Sequence, residues 1–279
     1  MKVGFLSMTV EIAWLFIAVG VCVGVLSGLL GIGGGLVLVP FFSTMFTVLK
    51  LPSDSVFHYA LGTSMACIVL TSAFSLMAHQ HKQGVLWHYV KSMALGVVLG
   101  AFFSTFWVAS LKSTMLMIIF SVFLVFVAWQ MLRGNPQQSE GTSPVKVSSI
   151  ELLIVSTLIG VISAIVSIGG GSLTVPYLAY RHVPIKQAIG TSAALGFPIS
   201  LAGTLGYIYN GPDMLWLDQM PLNLGYIYLP AVLLVSITSI FTVKLGAHLV
   251  HRLPVNVIKR IFACLLIAIS IKVLWSSVA

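Results

Sequence analysis

Charged side chains are scarce in this chain: Asp, Glu, Lys and Arg make up only 7% of its 279 residues, while 58% are hydrophobic. Soluble domains carry about 25% charged residues. The composition therefore excludes an ordinary soluble protein and predicts an integral membrane protein with helical spans of roughly 20 apolar residues. The net charge of +8 does not indicate nucleic-acid binding, because the Lys and Arg residues are scattered singly between apolar runs.

Acidic residues are the rarest charged type, and none falls in the middle of an apolar run. All six lie at segment ends or in loops: Glu11, Asp54, Glu140, Glu151, Asp213 and Asp218. Cation transporters and proton relays usually need buried acids, so a binding site in this chain should prefer anions. The three cysteines show no metal-ligand spacing, which argues against a disulfide framework and a metal site. We expect no cofactor.

Ten apolar segments can be drawn, five in each half of the chain. They cover residues 9–30, 35–49, 56–78, 87–109 and 113–132, and then 150–168, 172–180, 185–209, 225–250 and 255–278. This pattern predicts an all-α membrane protein made of a first transmembrane repeat (1–133), a polar linker (134–149) and a second transmembrane repeat (150–279). The first apolar run leads straight into a glycine motif, so we do not expect a cleaved signal peptide.

The two halves carry the same motifs. Gly24–Phe42 reads GVLSGLLGIGGGLVLVPFF and Gly160–Leu178 reads GVISAIVSIGGGSLTVPYL, with nine identities in nineteen positions at an offset of 136. A second shared element follows, Ala60–Ser64 (ALGTS) and Ala188–Ser192 (AIGTS), at an offset of 128. The chain therefore contains two copies of one unit.

The triple glycine in each copy is costly for a helix, since each Gly loses about 1 kcal/mol against Ala. Close helix packing needs a small residue only once per turn, so packing does not explain three in a row. Matched breaks in two halves indicate a transporter site built from discontinuous helices. A half-helix that begins at the break points its positive end toward a bound anion. We predict backbone N–H donors from these residues: Gly33, Gly34, Gly35, Gly169, Gly170 and Gly171.

Hydroxyl side chains recur at matched positions beside the glycines. A single hydroxyl in a span often just bonds a carbonyl one turn back, but two matched Gly-Thr-Ser elements favour a ligand-facing role. We predict substrate donors at Thr63, Ser64, Ser172, Thr191 and Ser192, with Ser27 and Ser163 holding the break or adding donors. An intramembrane serine protease would need Gly-x-Ser-Gly, but Val25 and Val161 stand at the first glycine's place.

Basic residues predict the orientation of the two halves. If all ten segments cross the membrane, nine Lys and Arg residues lie on one side and three on the other. If the short second segment of each half returns to its own side, the split is seven against five. The positive-inside rule favours the first arrangement. Five crossings per half give inverted repeats with both chain termini outside.

Taken together, the motifs resemble the TauE/SafE family, also called the 4-toluene sulfonate uptake permeases. Two copies of G-x-x-S-x-x-x-x-I-G-G-G-x-x-x-V-P, each followed by A-[IL]-G-T-S, carry the resemblance, with the C-terminal stretch Gly246–Leu274. The resemblance implies a bacterial or archaeal inner-membrane carrier, commonly an exporter, for sulfite, organosulfonates or related sulfur oxyanions.

The function that we predict is transport of a small sulfur-containing anion by alternating access between the repeats. The partners are then the anionic substrate and the lipid bilayer, with no nucleic acid, and the oligomeric state stays open. An anion channel is the alternative within transport. An intramembrane enzyme acting on a sulfur metabolite is the alternative from another class, but the apolar segments contain no nucleophile, base and orienting residue in a recognisable set.

Overall fold

The computed structural model describes residues 2–30, 34–80, 84–133, 148–212, 222–249 and 255–278. Over these residues the chain forms ten α-helices and one antiparallel hairpin of two short strands. The first half contains α1 (Lys2–Leu30), α2 (Gly35–Val48), α3 (Ser53–Gln80), α4 (Trp87–Ser110) and α5 (Ser113–Arg133). The second half contains α6 (Ser149–Ile165), α7 (Gly171–Tyr180), α8 (Ile185–Tyr209), β1 (Asn223–Leu224), β2 (Ile227–Tyr228), α9 (Leu229–Leu249) and α10 (Val255–Val278).

The predicted all-α architecture is confirmed, with two differences in detail. Helix α1 begins at Lys2 rather than at residue 9, because the helix continues beyond the apolar run. The predicted segment 225–250 is wrong at its start, since Gly225 has a φ of +56° and turns the chain between β1 and β2. Pro230 stands in the first turn of α9, where its missing N–H costs no helical hydrogen bond. Residues 134–147 of the predicted linker lie outside the described residues.

The outer surface of the described helices is apolar. Four of them are long and apolar enough to cross a membrane, namely α3, α4, α5 and α8. Large side chains on this surface include Phe103, Trp107 and Phe241, which are 62%, 69% and 73% exposed. Exposing so many apolar side chains to water would be unfavourable, whereas the hydrocarbon chains of lipids solvate them well. This surface is that of a multi-pass membrane protein.

Glycines bring helices of the two halves into backbone contact. A β-carbon at Gly100 of α4 would overlap the carbonyl oxygen of Thr157 in α6, and one at Gly160 would overlap the carbonyl oxygen of Val97. Membrane helices gain little from burying apolar area against each other, so close approach through small residues supplies their contact energy. A β-carbon at Gly96 would lie 2.8 Å from the carbonyl oxygen of Leu153. Because Gly96 meets Leu153 and Gly100 meets Thr157, these contacts advance in the same sense along both helices, so α4 and α6 are parallel.

The contact between α4 and α6 has a counterpart when the two halves are exchanged. This counterpart is the contact between α9 and α1. A β-carbon at Gly20 would lie 2.8 Å from the carbonyl oxygen of Val235, and one at Gly24 would lie 2.5 Å from that of Ser239. These contacts also advance together, so α1 and α9 are parallel. Each half therefore packs its first helix on the fourth helix of the other half.

Helices α3 and α8 cross at the centre of the molecule. Ser72 and Ser200, which are 128 residues apart and so occupy matched positions, approach to 3.4 Å between their Oγ atoms. Seven residues before Ser72 in α3, Met65 lies against Gly203, which follows Ser200 in α8, so the order runs oppositely along the two helices. The two central helices are therefore antiparallel, and equivalent residues meet where they cross.

Substitution of Gly100 tests the packing of α4 on α6. Gly100→Ala should lower the free energy of unfolding by about 1–3 kcal/mol, because overpacking at a backbone contact forces the helices apart. Leu99→Ala is the matched control, since Leu99 lies on the outer surface and is 42% exposed. Thermal unfolding in detergent should show a clear loss for the glycine variant and little for the leucine variant. Equal melting temperatures would contradict this packing.

Candidate substrate-binding site

The middle residue of each triple glycine has a left-handed backbone. Gly34 has a φ of +76° and directly precedes α2, and Gly170 has a φ of +75° and directly precedes α7. Only glycine adopts this conformation without strain from a β-carbon. The Gly170 carbonyl accepts the N–H groups of Leu173 and Thr174 at 3.1 and 2.8 Å. The glycines therefore reverse the chain and start a half-helix whose first N–H groups have no helical acceptor.

The two breaks lie against each other. A β-carbon at Gly35 would overlap the carbonyl oxygen of Ser167, which belongs to the other break. Ser167 has a φ of +51°, and its hydroxyl donates to the carbonyl of Leu61 at 2.8 Å. That carbonyl directly precedes Gly62-Thr63-Ser64. One predicted donor, Gly33, lies outside the described residues, but the other break glycines and the first Gly-Thr-Ser element are close together.

The Gly-Thr pair of each Gly-Thr-Ser element holds the segment that leads into a helix of the other half. The Thr191 hydroxyl oxygen accepts the backbone N–H of Leu86 at 3.0 Å, just before α4. The Thr63 hydroxyl oxygen accepts the N–H of Tyr228 at 3.1 Å, just before α9. The preceding glycines, Gly62 and Gly190, let the same segments approach. The sequence did not indicate this role, and donation of the Thr protons to a substrate stays a prediction.

The serine side chain of each element points in a different direction from the threonine side chain, because successive residues of a helix are turned by about 100°. Ser64 and Ser192 are completely buried, and their hydroxyls have no hydrogen-bond partner. Three further buried hydroxyls lack a partner around the second break: Ser163, Ser172 and Thr174. Burying a hydroxyl without a partner costs free energy, so an unsatisfied cluster requires an explanation. Ser27, the counterpart of Ser163, is also buried.

The chain is similar to known membrane proteins over nearly its whole length. Residues 16–273 match the family described as "Sulfite exporter TauE/SafE". The chain belongs to the TauE/SafE family. A probable membrane transporter protein of Haemophilus influenzae is 37% identical over 92% of this chain and 96% of its own length. Another, from Methanocaldococcus jannaschii, is 30% identical over 86% of each chain. No solved structure matches the chain significantly.

The two breaks of this TauE/SafE protein differ in polarity. The β-carbon position of Gly170 is nearest to Ile199 and also lies 3.5 Å from the Thr174 hydroxyl and 3.8 Å from the Ser163 hydroxyl. That of Gly34 meets only the side chain and the carbonyl of Val23 among its nearest atoms, with no hydroxyl donor. Leu36 and Leu38 also stand where the second copy has Ser172 and Thr174. Thr174 is not among the donors that the sequence motifs predict. The sequence signal that identifies Thr174 is the difference between the two copies at this position, because the first copy has Leu38 there.

The hydrogen bond from Leu86 to Thr191 predicts a stability effect. Thr191→Val keeps the shape of the side chain but leaves the Leu86 N–H without its acceptor, so the free energy of unfolding should fall by about 1–3 kcal/mol. Thr191→Ser retains the oxygen and should remain close to the parent. Thermal unfolding in detergent is the measurement. A valine variant as stable as the serine variant would contradict the assigned bond.

Proposed function

We propose that this protein exports a small sulfur oxyanion, such as sulfite or an organosulfonate, by alternating access between two inverted repeats. The family membership supplies the transporter class, and its description names a sulfite exporter. The substrate and the direction are inferences for this chain. The observation that carries the anionic substrate is the group of buried, unpartnered hydroxyls beside the start of α7; the export direction follows the family description alone.

The donor set suits an oxyanion. Ser163, Ser172 and Thr174 offer hydroxyl protons, and the start of α7 offers backbone N–H groups that have no helical acceptor. Sulfite and sulfonate groups present three oxygen acceptors in a compact head, so several converging donors can replace their water. The positive end of the α7 dipole favours a negative charge at the same point.

Charge supports an anion rather than a cation. The two acidic side chains that the structure describes, Asp54 and Glu151, lie in the first turns of α3 and α6, away from the second break. A site made of neutral donors binds an anion without the strong attraction of a fixed cation. Such a site releases its substrate readily, as a transporter requires.

The arrangement of the helices supports inverted repeats. The central pair, α3 and α8, is antiparallel, whereas α1 with α9 and α4 with α6 are parallel. Five alternating crossings per half, with the second half turned over, satisfy all three relations. Repeats in the same orientation would require α3 and α8 to be parallel. In such transporters, one repeat moves against the other around a central site.

Removal of single hydroxyls tests the proposed site. Ser172→Ala or Thr174→Val should weaken sulfite binding about 10- to 100-fold, since a hydrogen bond to a charged group contributes about 1.5–3 kcal/mol. Stability should not fall, because neither hydroxyl has a partner in the protein. Equilibrium binding to the purified protein in detergent is the measurement.

The matched control is Ser104→Ala. Ser104 is also buried, but its hydroxyl donates to the Ala101 carbonyl at 3.0 Å within its own helix. Its loss should leave sulfite binding unchanged. If the α7 variants also bind sulfite as the parent does, the substrate site lies elsewhere. Saturable counterflow in proteoliposomes would distinguish a carrier from a channel, and recovery of unchanged sulfite would exclude an enzyme.

Sided labelling tests the inverted repeats. Lys112, between α4 and α5, and Lys186, at the start of α8, are both exposed and should lie on opposite faces of the membrane. Single cysteines at these positions, in a variant without Cys22, Cys67 and Cys264, should react differently with a membrane-impermeant maleimide added to whole cells. Position 112 should react and position 186 should not. Reaction of both from one side would refute the arrangement.

A further inference from the structure

A second group of unpartnered donors lies at the far end of α7. Arg181 follows the last residue of this helix, and its side chain is only 19% exposed. Its Nη2 atom forms an ion pair with Glu151 of α6. The guanidinium carbon lies 5.7 Å from the ring centre of Tyr177 and 5.8 Å from that of Tyr180. An arginine is thus held between two rings and one carboxylate.

Two donors in this group have nothing to bind. The Arg181 Nε and the Tyr177 hydroxyl are both buried and lack a hydrogen-bond partner. Arginine binds oxyanions best through two parallel N–H groups, and Nε with Nη2 forms one such edge. Glu151 contacts only the Nη2 end of that edge. The arginine therefore retains half of a bidentate site, with a phenol on the same helix four residues away.

This group is separate from the glycine breaks. Helix α7 contains ten residues, so its ends are about 15 Å apart. The first half has no equivalent, because Phe41 and Met45 stand where the second copy has Tyr177 and Arg181. The group therefore distinguishes one end of the molecule from the other. At that end, a β-carbon at Gly84 would lie 3.7 Å from the carbonyl of Lys186.

We propose that Arg181 and Tyr177 form an outer oxyanion site, at which the substrate anion is held on its way to the glycine breaks. This inference rests on the proposed function. An arriving oxyanion occupies Arg181 Nε and the Tyr177 hydroxyl and displaces the Glu151 carboxylate from Nη2. Glu151 is 39% exposed and is readily solvated when released. Glu151 therefore competes with the substrate for the arginine.

Because Glu151 and the substrate compete for Arg181, substitutions of Arg181 and Glu151 should change the half-saturating sulfite concentration in opposite directions. Arg181→Gln should raise the half-saturating sulfite concentration of transport about 10-fold or more, whereas Glu151→Gln should lower it. A purely structural ion pair would make both variants less stable and less active together. The measurement is the initial rate of labelled sulfite transport by the full chain in proteoliposomes, over a range of sulfite concentrations, with melting temperatures recorded for each variant.

The two tyrosines provide a matched pair. Tyr177→Phe should raise the half-saturating concentration several-fold without loss of stability, because the hydroxyl has no partner in the protein. Tyr180→Phe should change nothing, since Tyr180 is 77% exposed although its ring lies equally close to Arg181. Equal effects of the two phenylalanine variants, or parallel losses in Arg181→Gln and Glu151→Gln, would overturn the outer site.

Two further outcomes are informative. One distinguishes a sulfite anion from a lipid phosphate at this site, and the other distinguishes failure of the outer site from failure of the proposed function. If Arg181→Gln leaves sulfite transport unchanged and instead reduces binding of phosphatidylglycerol from nanodiscs, the group binds a lipid phosphate and its transit role is overturned. A parent protein that neither binds nor transports sulfite would overturn the proposed function and this inference together. A parent that transports sulfite, with Arg181→Gln unaffected, would overturn this inference alone.

Discussion

Backbone polar groups at membrane depth must find hydrogen-bond partners inside the protein, because the bilayer core offers none. This chain nevertheless interrupts a helix twice, at Gly34 and Gly170, where the backbone turns through left-handed conformations. The rest of the architecture accommodates these interruptions. The breaks lie against each other. The Leu61 carbonyl of α3 accepts the Ser167 hydroxyl, and the Tyr207 hydroxyl of α8 donates to the Ala164 carbonyl at the end of α6. Three buried hydroxyls without a partner, those of Ser163, Ser172 and Thr174, lie around the start of α7, where the proposed anion would find donors.

The two halves are nearly symmetric, and the positions that depart from this symmetry have a different structural role from the positions that match. Matched contacts, such as Thr63 with Tyr228 and Thr191 with Leu86, tie each half to the other and give the molecule two equivalent supports. The halves differ at the second break, where Ser172 and Thr174 replace two leucines, and at the end of α7, where Tyr177 and Arg181 replace Phe41 and Met45. In the proposed transport cycle, the symmetric scaffold would provide two related conformations, and the asymmetric donors would give the substrate one preferred position.

Small residues recur throughout the fold, with two distinct physical uses. Gly100 and Gly160 lie inside regular helices and let backbones of neighbouring helices touch. Gly34 and Gly170 lie outside regular helices and are needed for their backbone conformation. The sequence pattern separates the two uses, because packing glycines are spaced along a helix whereas the break glycines are consecutive. A substitution should therefore affect stability at the first pair, and the shape of the site at the second.

The sequence by itself determined the class of protein, the helical segments, the repeat and the family, because each depends on local composition or on aligned motifs. It also selected most of the residues that meet at the two breaks. It did not reveal the hairpin before α9, the role of Thr63 and Thr191 in holding loop segments, or the unpartnered donors of Arg181 and Tyr177. These features arise from contacts between residues far apart in the chain, such as Leu86 with Thr191. Only tertiary structure decides which hydroxyl is satisfied and which remains available to a substrate.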